Sequence, residues 1–352
     1  MAAGRVVVFG WAESIHTRRW VEGMASRGFR VKLISLGGRA LPGVETVIHR
    51  RAGRRSYLLC AGAAAREARD FGPDLVHVHY ATGFGLWGLA ARHAPTLVSV
   101  WGTDVEAGAP RWFLRPLVRK VLRRAAWISA TSEYLKRRAV HLVPEAAEKI
   151  TVIPFGVTVG EKPPAFPADD TIRICFMKSH RRVSGPDILL KAMAEVVTEI
   201  PNVRLSIAGS GRMTPHLKRL VRSCNLEDRV SFVGHLEPDE VGRFLEGHHF
   251  MVMPSRRESF GVAALEAAAC GRPVIASDVG GVPEVVRHDH TGILVPAGDV
   301  DRLALAIVEL SRDAQRRQRL GGAAFEFARA KYPWEKSLDM MSSLYERLID
   351  ES

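Results

Sequence analysis

The chain has 352 residues, enough for two domains each with its own core. Apolar residues make up 47% and charged residues 25%, an ordinary globular mix, and no apolar run reaches the ~18 residues that a membrane span requires. The net charge of +12 favours anionic partners, whether nucleic acid, anionic lipid or phosphorylated substrates, and its basic clusters fall in the N-terminal half, at residues 49–55 and 111–124.

In chain order, apolar residues begin at Val6, with none of the longer apolar segment and cleavage site of a secretory signal. Residues 6–9 therefore read as a first buried strand and the protein as cytoplasmic. The first strand–helix loop is Gly10-Trp11-Ala12-Glu13-Ser14-Ile15-His16. A helix over 17–27 follows, closed by Gly28, and His16 stands near its start. Further strands are read at 31–35, 75–79, 97–100, 127–130 and 149–154, with helical stretches between them. His77 and His79 are read as projecting to opposite sides of strand 75–79, with His79, at its carboxyl end, as the residue facing a ligand. A structural role remains open for both histidines. Residues 161–170, rich in proline and charge, neither continue a helix nor sit inside a sheet, and read as an inter-domain linker. Strands resume at 172–177, 203–208, 230–233, 250–253, 273–276 and 293–295. The alternation implies two doubly wound Rossmann-like α/β domains, residues 1–160 and 161–334, facing one another across a central cleft where ligands bind. Cys60, Cys175, Cys224 and Cys270 are scattered and form no C-x-x-C pair, so they read as reduced thiols, not zinc ligands.

The richest segment runs from Pro254 to Ala267. A helix is expected from near Ser259 to about Cys270, with unpaired amides at its start and Gly261 leaving room for a phosphate. Glu258 stands at the helix entrance and Glu266 just over two turns deeper. One carboxylate suits sugar hydroxyls and the other ribose hydroxyls. Alternatively, they only complement the helix dipole and the helix surface.

The stretch from Pro254 to Gly298, with glutamates at 258 and 266, resembles the signature of the family 4 retaining glycosyltransferases of GT-B fold. Ala208-Gly209-Ser210-Gly211, Phe232-Val233-Gly234, Ile153-Pro154-Phe155-Gly156-Val157 and Ser14-Ile15-His16-Thr17-Arg18-Arg19-Trp20 extend the resemblance over essentially the whole chain. It implies that Glu258 contacts the donor sugar and that the amides of Ser259, Phe260 and Gly261 cradle the diphosphate. Glu266 would hold the ribose, backbone near Val233 and Gly234 would contact the base, and Gly209 would line the donor site. The terminal segment from Tyr332 resembles the family's helix that crosses back to the first domain, here residues 335–352. Lys178 matches the arginine that relatives place on the diphosphate, whereas Ser184 stands in place of their lysine, with Arg181 or Arg182 as substitutes.

In the N-terminal half Trp101 replaces a histidine of many relatives and reads as a sugar-facing wall or a packing residue. Asp104 reads as an acceptor ligand or a turn cap. His16 is a candidate contact for donor or acceptor. Arg18, His79 and Trp101 are assigned to the acceptor, and His16 and Asp104 join Glu258 as candidate catalytic residues. The expected reaction passes through an oxocarbenium-like state, retains configuration, uses no cofactor beyond the nucleotide-sugar donor and needs no metal. Asp299-Val300-Asp301 reads as a helix cap. The leaving phosphate is expected to take the acceptor's proton. Residues 111–124 read as a basic amphipathic helix, either lying on anionic lipid or covering the sheet with a solvated rim. Rival readings are a nucleotide-sugar epimerase, a dinucleotide-dependent oxidoreductase, which lacks its G-x-G-x-x-G turn, and a nucleic-acid-binding protein, which lacks any recognised motif.

Overall fold

The computed structural model describes residues 4–50, 53, 55–106 and 114–352. The chain divides into two compact units, Met1–Pro154 with Glu335–Ser352, and Phe155–Trp334.

In the first unit β1 (Arg5–Phe9), β2 (Arg30–Ser35), β3 (Glu45–Ile48), β4 (Leu75–His79), β5 (Thr96–Val100), β6 (Trp127–Ala130) and β7 (Ile150–Val152) form one parallel sheet in the order β3-β2-β1-β4-β5-β6-β7. Val6, Val7, Val8 and Phe9 are buried, as in a parallel sheet covered on both faces. Helices α1 (Ile15–Ser26), α2 (Ser56–Phe71), α3 (Phe84–Ala90), α4 (Arg115–Arg124) and α5 (Glu133–Leu142) connect the strands. α1 starts where the Ser14 side chain accepts from the Thr17 N–H, and it turns Trp20, Val21 and Met24 inward. The edge strand β3 was not expected: its residues are half-buried or exposed, so no buried apolar run marks it. The C-terminal helix, Trp334–Asp350, contributes its residues from Glu335 onward to this unit. Its Leu338 packs where a Cβ on Gly23 would intrude, and Arg27 bridges Glu335 and Asp339 at 2.9 and 2.6 Å.

In the second unit β8 (Ile172–Met177), β9 (Val203–Ala208), β10 (Val230–Gly234), β11 (Phe250–Met253), β12 (Val274–Ser277) and β13 (Gly292–Val295) form a second parallel sheet, ordered β10-β9-β8-β11-β12-β13. Its helices are α6 (Pro186–Glu199), α7 (Thr214–Ser223), α8 (Glu240–Glu246), α9 (Val262–Ala269), α10 (Val282–Val285), α11 (Val300–Arg312) and α12 (Ala314–Lys331). In both sheets sequential connection reverses direction at one place, between β1 and β4 and between β8 and β11. Such switch points leave a crevice beyond the strand ends.

The boundary between units falls at Pro154, not at the expected 160, and the 161–170 stretch is no free linker. Fully buried Arg272 donates to the carbonyls of Pro164 (3.0 Å) and Ala165 (2.6 Å) as well as to Glu246 (3.1 Å), and stacks over Phe166. Prolines lack N–H groups but keep their carbonyls, and a buried guanidinium collects them. Val157 and Pro333 pair as an isolated parallel bridge within this same unit.

Candidate active site

At the switch point of the second sheet, loops leave β8 and β11 side by side. Lys178, from the first loop, donates to a Glu258 carboxylate oxygen from the second, and its ammonium lies 3.9 Å from the Met253 sulfur. Both side chains of this ion pair are largely buried. Arg256 joins the loops a second time. Its guanidinium grips Asp187 with two bonds of 2.8 and 2.7 Å and donates to the Arg182 carbonyl at 2.7 Å, and its amide donates to the Val183 carbonyl at 2.8 Å. Burial alone would raise the Asp187 carboxyl pKa, but the Arg256 hydrogen bond and charge overcome it and hold the pKa below its ordinary value. Gly185, at φ +72, lets the first loop close over the second: a Cβ there would lie 1.9 Å from the Pro254 carbonyl oxygen.

The remaining donor-side candidates surround this pair in sequence and fold. α9 begins at Val262, three positions after the expected start, because Gly261 sits at φ +104 and its carbonyl accepts the first intrahelical bond, from Leu265. Ser259 and Phe260 therefore lie in the loop, and Phe260 turns its ring inward against Tyr332. Glu266 is half-buried in the second turn of α9, one turn from its start instead of two. The Glu258 carbonyl accepts from the Gly281 amide at 3.1 Å, which ties the loop to the turn after β12. Gly209 packs against the Lys178 carbonyl, where a Cβ would come within 2.2 Å, and its amide donates to the Gly234 carbonyl at 2.5 Å. Gly234 itself faces open space. Arg182 is exposed, and Ser184, in the place of the family's lysine, is buried.

The first unit carries a different cluster at its own switch point. His79, at the end of β4, is buried and bonds Thr17 through Nδ1 at 3.1 Å, while its Nε2 has no hydrogen-bond partner among the described residues. Gly10 makes room: a Cβ would stand 3.0 Å from the His79 ring nitrogen. Trp101 packs on His79 with centroids 4.5 Å apart, and on His16 and Tyr80 at 6.1 and 5.2 Å. Burial, with Arg19 adding to it, lowers the His16 pKa to about 4, and burial carries His79 well below its ordinary value. Tyr80 holds φ +75 and its hydroxyl pKa is raised to about 12, chiefly by burial and then by Asp104. Tyr80, Thr17 and Arg256 escaped sequence reasoning. Only the position of Tyr80 just past a strand end gave any signal.

His77 and His79 share one face, with rings 4.5 Å apart, contrary to the opposite sides expected of them. Residues two apart on a strand project the same way. His77 bonds the Tyr345 hydroxyl and Ser99, each at 2.6 Å, in a fully internal network. Asp104 accepts from the backbone amides of Ala81, Trp101 and Gly102 at 3.0, 3.3 and 3.0 Å, which ties the loop after β5 to the end of β4. Arg18 is exposed on α1.

Among the described residues of the basic segment, α4 turns its apolar side inward. Val118, Val121 and Leu122 of α4 are buried in the core, and Arg115, Arg119, Lys120, Arg123 and Arg124 form the outer rim. Residues 111–113, and 51, 52 and 54 of the other basic cluster, lie outside the described residues. Asp299 caps α11 by accepting from the Arg302 amide at 2.9 Å. Cys60 and Cys175 are buried free thiols, and Cys224 and Cys270 are free and half-buried.

Among known proteins, the family described as Glycosyl transferases group 1 matches residues 161–327, and Glycosyltransferase Family 4 matches residues 14–161. The N-acetyl-alpha-D-glucosaminyl L-malate synthase of Bacillus anthracis is 28% identical over 302 residues, which cover 82% of this chain and 78% of the relative. A GDP-mannose-dependent monoacylated alpha-(1-6)-phosphatidylinositol monomannoside mannosyltransferase of Corynebacterium glutamicum is 32% identical over 276 residues, 69% of this chain and 71% of the relative. Among solved structures, Anabaena HepE in complex with UDP-glucose superimposes with a TM-score of 0.83 at 16% identity, over 97% of this chain and 99% of that one. Two parallel-sheet units with this likeness are the GT-B architecture.

Proposed function

This chain belongs to the family 4 glycosyltransferases, and from that premise we propose that it moves a sugar, with retention and without a metal, from a nucleoside diphosphate to a hydroxyl acceptor. The observation that carries the reading is the Lys178–Glu258 pair at the β8–β11 switch point. An ion pair at a crevice can be exchanged for a ligand of matching charges. The donor's phosphate takes Lys178, and the sugar hydroxyls take Glu258. The amides at the start of α9, with Ser259, Phe260 and Gly261 before it, face the diphosphate. Arg182 stands by in the same loop. Glu266 holds the ribose, and Gly209 and Gly234 leave room for nucleoside and base. HepE is named with UDP-glucose and the Corynebacterium relative with GDP-mannose, which supports a nucleotide-sugar donor here.

In the reaction the bond between C1 and the β-phosphate oxygen breaks as the acceptor oxygen bonds C1. The acceptor's proton passes to the leaving phosphate. Positive charge on the protein meets the negative charge that develops there. Lys178 and the loop amides are assigned that task. His16, His79 and Trp101 form the acceptor-side wall, and Asp104 positions the loop that carries Trp101. No described helix is long and apolar enough to cross a membrane. We place the protein in the cytoplasm, where the rim of α4 contacts anionic lipid by charge alone.

The first test is the melting temperature of the full chain with UDP, GDP, TDP, ADP and NAD. A selective rise with one nucleoside diphosphate, abolished in Glu266→Ala, is expected. No response to any of them overturns the donor-site assignment.

A further inference from the structure

The first unit holds a groove that the transfer just described leaves unused. It is an open groove of about 1000 Å³ beyond the carboxyl ends of β1, β2 and β3, the ligand side of such a sheet. That is the upper end of small-molecule sites, ample for more than one sugar ring.

Its walls are preformed. The buried Ser35 hydroxyl accepts from the Ala12 amide at 3.0 Å and donates to the Gly37 carbonyl at 2.7 Å, which pins the β1–α1 loop to the segment after β2. Gly38, at φ +99, permits that contact: a Cβ there would lie 2.9 Å from both the Ala12 Cβ and the Glu13 amide. Trp11 gives an apolar wall, held edge-on by Tyr57 and Phe84.

Among the described residues, Arg18, Arg39 and Arg50 line the groove with Glu13 as its single carboxylate. All three arginines are exposed, and none has an ion pair or side-chain hydrogen bond to another described residue. Arginines with structural roles in this chain look different: Arg256 grips Asp187, Arg272 collects carbonyls, and Arg317 holds those of Leu310 and Ser311. Like charges gathered around a concavity without partners are uncompensated until an anion enters.

We propose that this groove seats the acceptor and that the acceptor is acidic. Its phosphate or carboxylate lies among Arg18, Arg39 and Arg50, and its ring or chain rests on Trp11. The β1–α1 loop and α1 connect the groove to His16, so an acceptor anchored by its anion directs its hydroxyl toward the His16–His79–Trp101 cluster. This deepens the glycosyltransferase reading and rests on it.

Calorimetric titration of the full chain with glucose 6-phosphate, glucuronate and glucose compares phosphate, carboxylate and neutral forms of one scaffold. At least one acid should bind about tenfold more tightly than glucose. The doubly substituted Arg18→Gln/Arg39→Gln chain should lose that preference, and Lys178→Gln should keep it. Phosphate preferred over carboxylate, or the reverse, identifies the anionic group. Binding of glucose equal to that of both acids overturns the proposal. So does a preference lost in Lys178→Gln but kept in the arginine variant, because the anion would then occupy the diphosphate seat. If the acids bind as expected and no nucleoside diphosphate shifts the melting temperature, the groove stands as an anion site and the donor-site assignment falls. The opposite pattern sinks the groove alone.

Discussion

The switch point of the first sheet is lined by rings, and that of the second by charges. Around His79 the neighbours are Trp101, His16, Tyr80 and Thr17, buried and neutral at physiological pH. At the second switch point the charges are paired and largely buried, Lys178 with Glu258 and Arg256 with Asp187. One topology thus serves two chemistries. A neutral, desolvated wall suits sugar faces and hydroxyls. A charged, paired one suits a diphosphate, which enters by replacing one partner of an existing ion pair. The sheet decides where each site stands, and the loops decide its charge.

Glu258→Gln tests the charged side most severely. Losing the carboxylate while keeping its shape should lower transfer by about 10² to 10³-fold, roughly 3–4 kcal/mol, with nucleotide affinity little changed. Turnover near the wild-type rate would show that the pair only shapes the loop.

On the neutral side the effect is pH. A histidine whose folded pKa is lowered binds its proton first in the unfolded chain, so stability is complete above the unfolded pKa of about 6.5 and falls as pH drops below it. For His16 the decline continues to its folded value of about 4. His16→Asn should therefore flatten the acid limb of a urea-midpoint series by at most about 1.4 kcal/mol per pH unit in that window. An unchanged limb would mean that His16 is not held neutral by burial.

The smallest effect is expected at Arg256. Arg256→Ala leaves Asp187 partly buried without its partner, a loss of about 1 kcal/mol for so exposed a guanidinium. The Asp187 pKa is lowered in the fold, so this contribution is present above the ordinary aspartate range and disappears as pH falls through the folded value. The difference between wild type and variant, read from urea midpoints, should shrink as pH falls below the ordinary aspartate range and vanish once Asp187 is protonated in the fold. A difference that persists there would assign the loss to packing and not to charge.

The same division runs through what was legible beforehand. Strands β4, β6, β8, β9 and β11 were readable to the residue, because strands of a covered parallel sheet are mostly apolar runs bounded by turn residues. Edge strand β3 was not, since Glu45–Ile48 is only partly covered. The helix after Glu258 was expected three residues early, because the left-handed turn of Gly261 displaces its start. The 161–170 stretch read as a linker because the partner of its carbonyls, Arg272, is about a hundred residues away in sequence.

By itself the sequence determined the α/β class, the alternation that makes two doubly wound units, and the segments that leave β8 and β11. These are local patterns: period, apolar run length, glycine placement. Only the tertiary structure decided which charges pair and which remain open. Lys178 and Glu258 are eighty positions apart, and strand order, not spacing, makes them neighbours. Likewise Arg18, Arg39 and Arg50 are ordinary basic residues along the chain and become one concave surface where β1, β2 and β3 end together. Electrostatic meaning depends on distance and burial, and both are set by packing long-range contacts that no local pattern encodes.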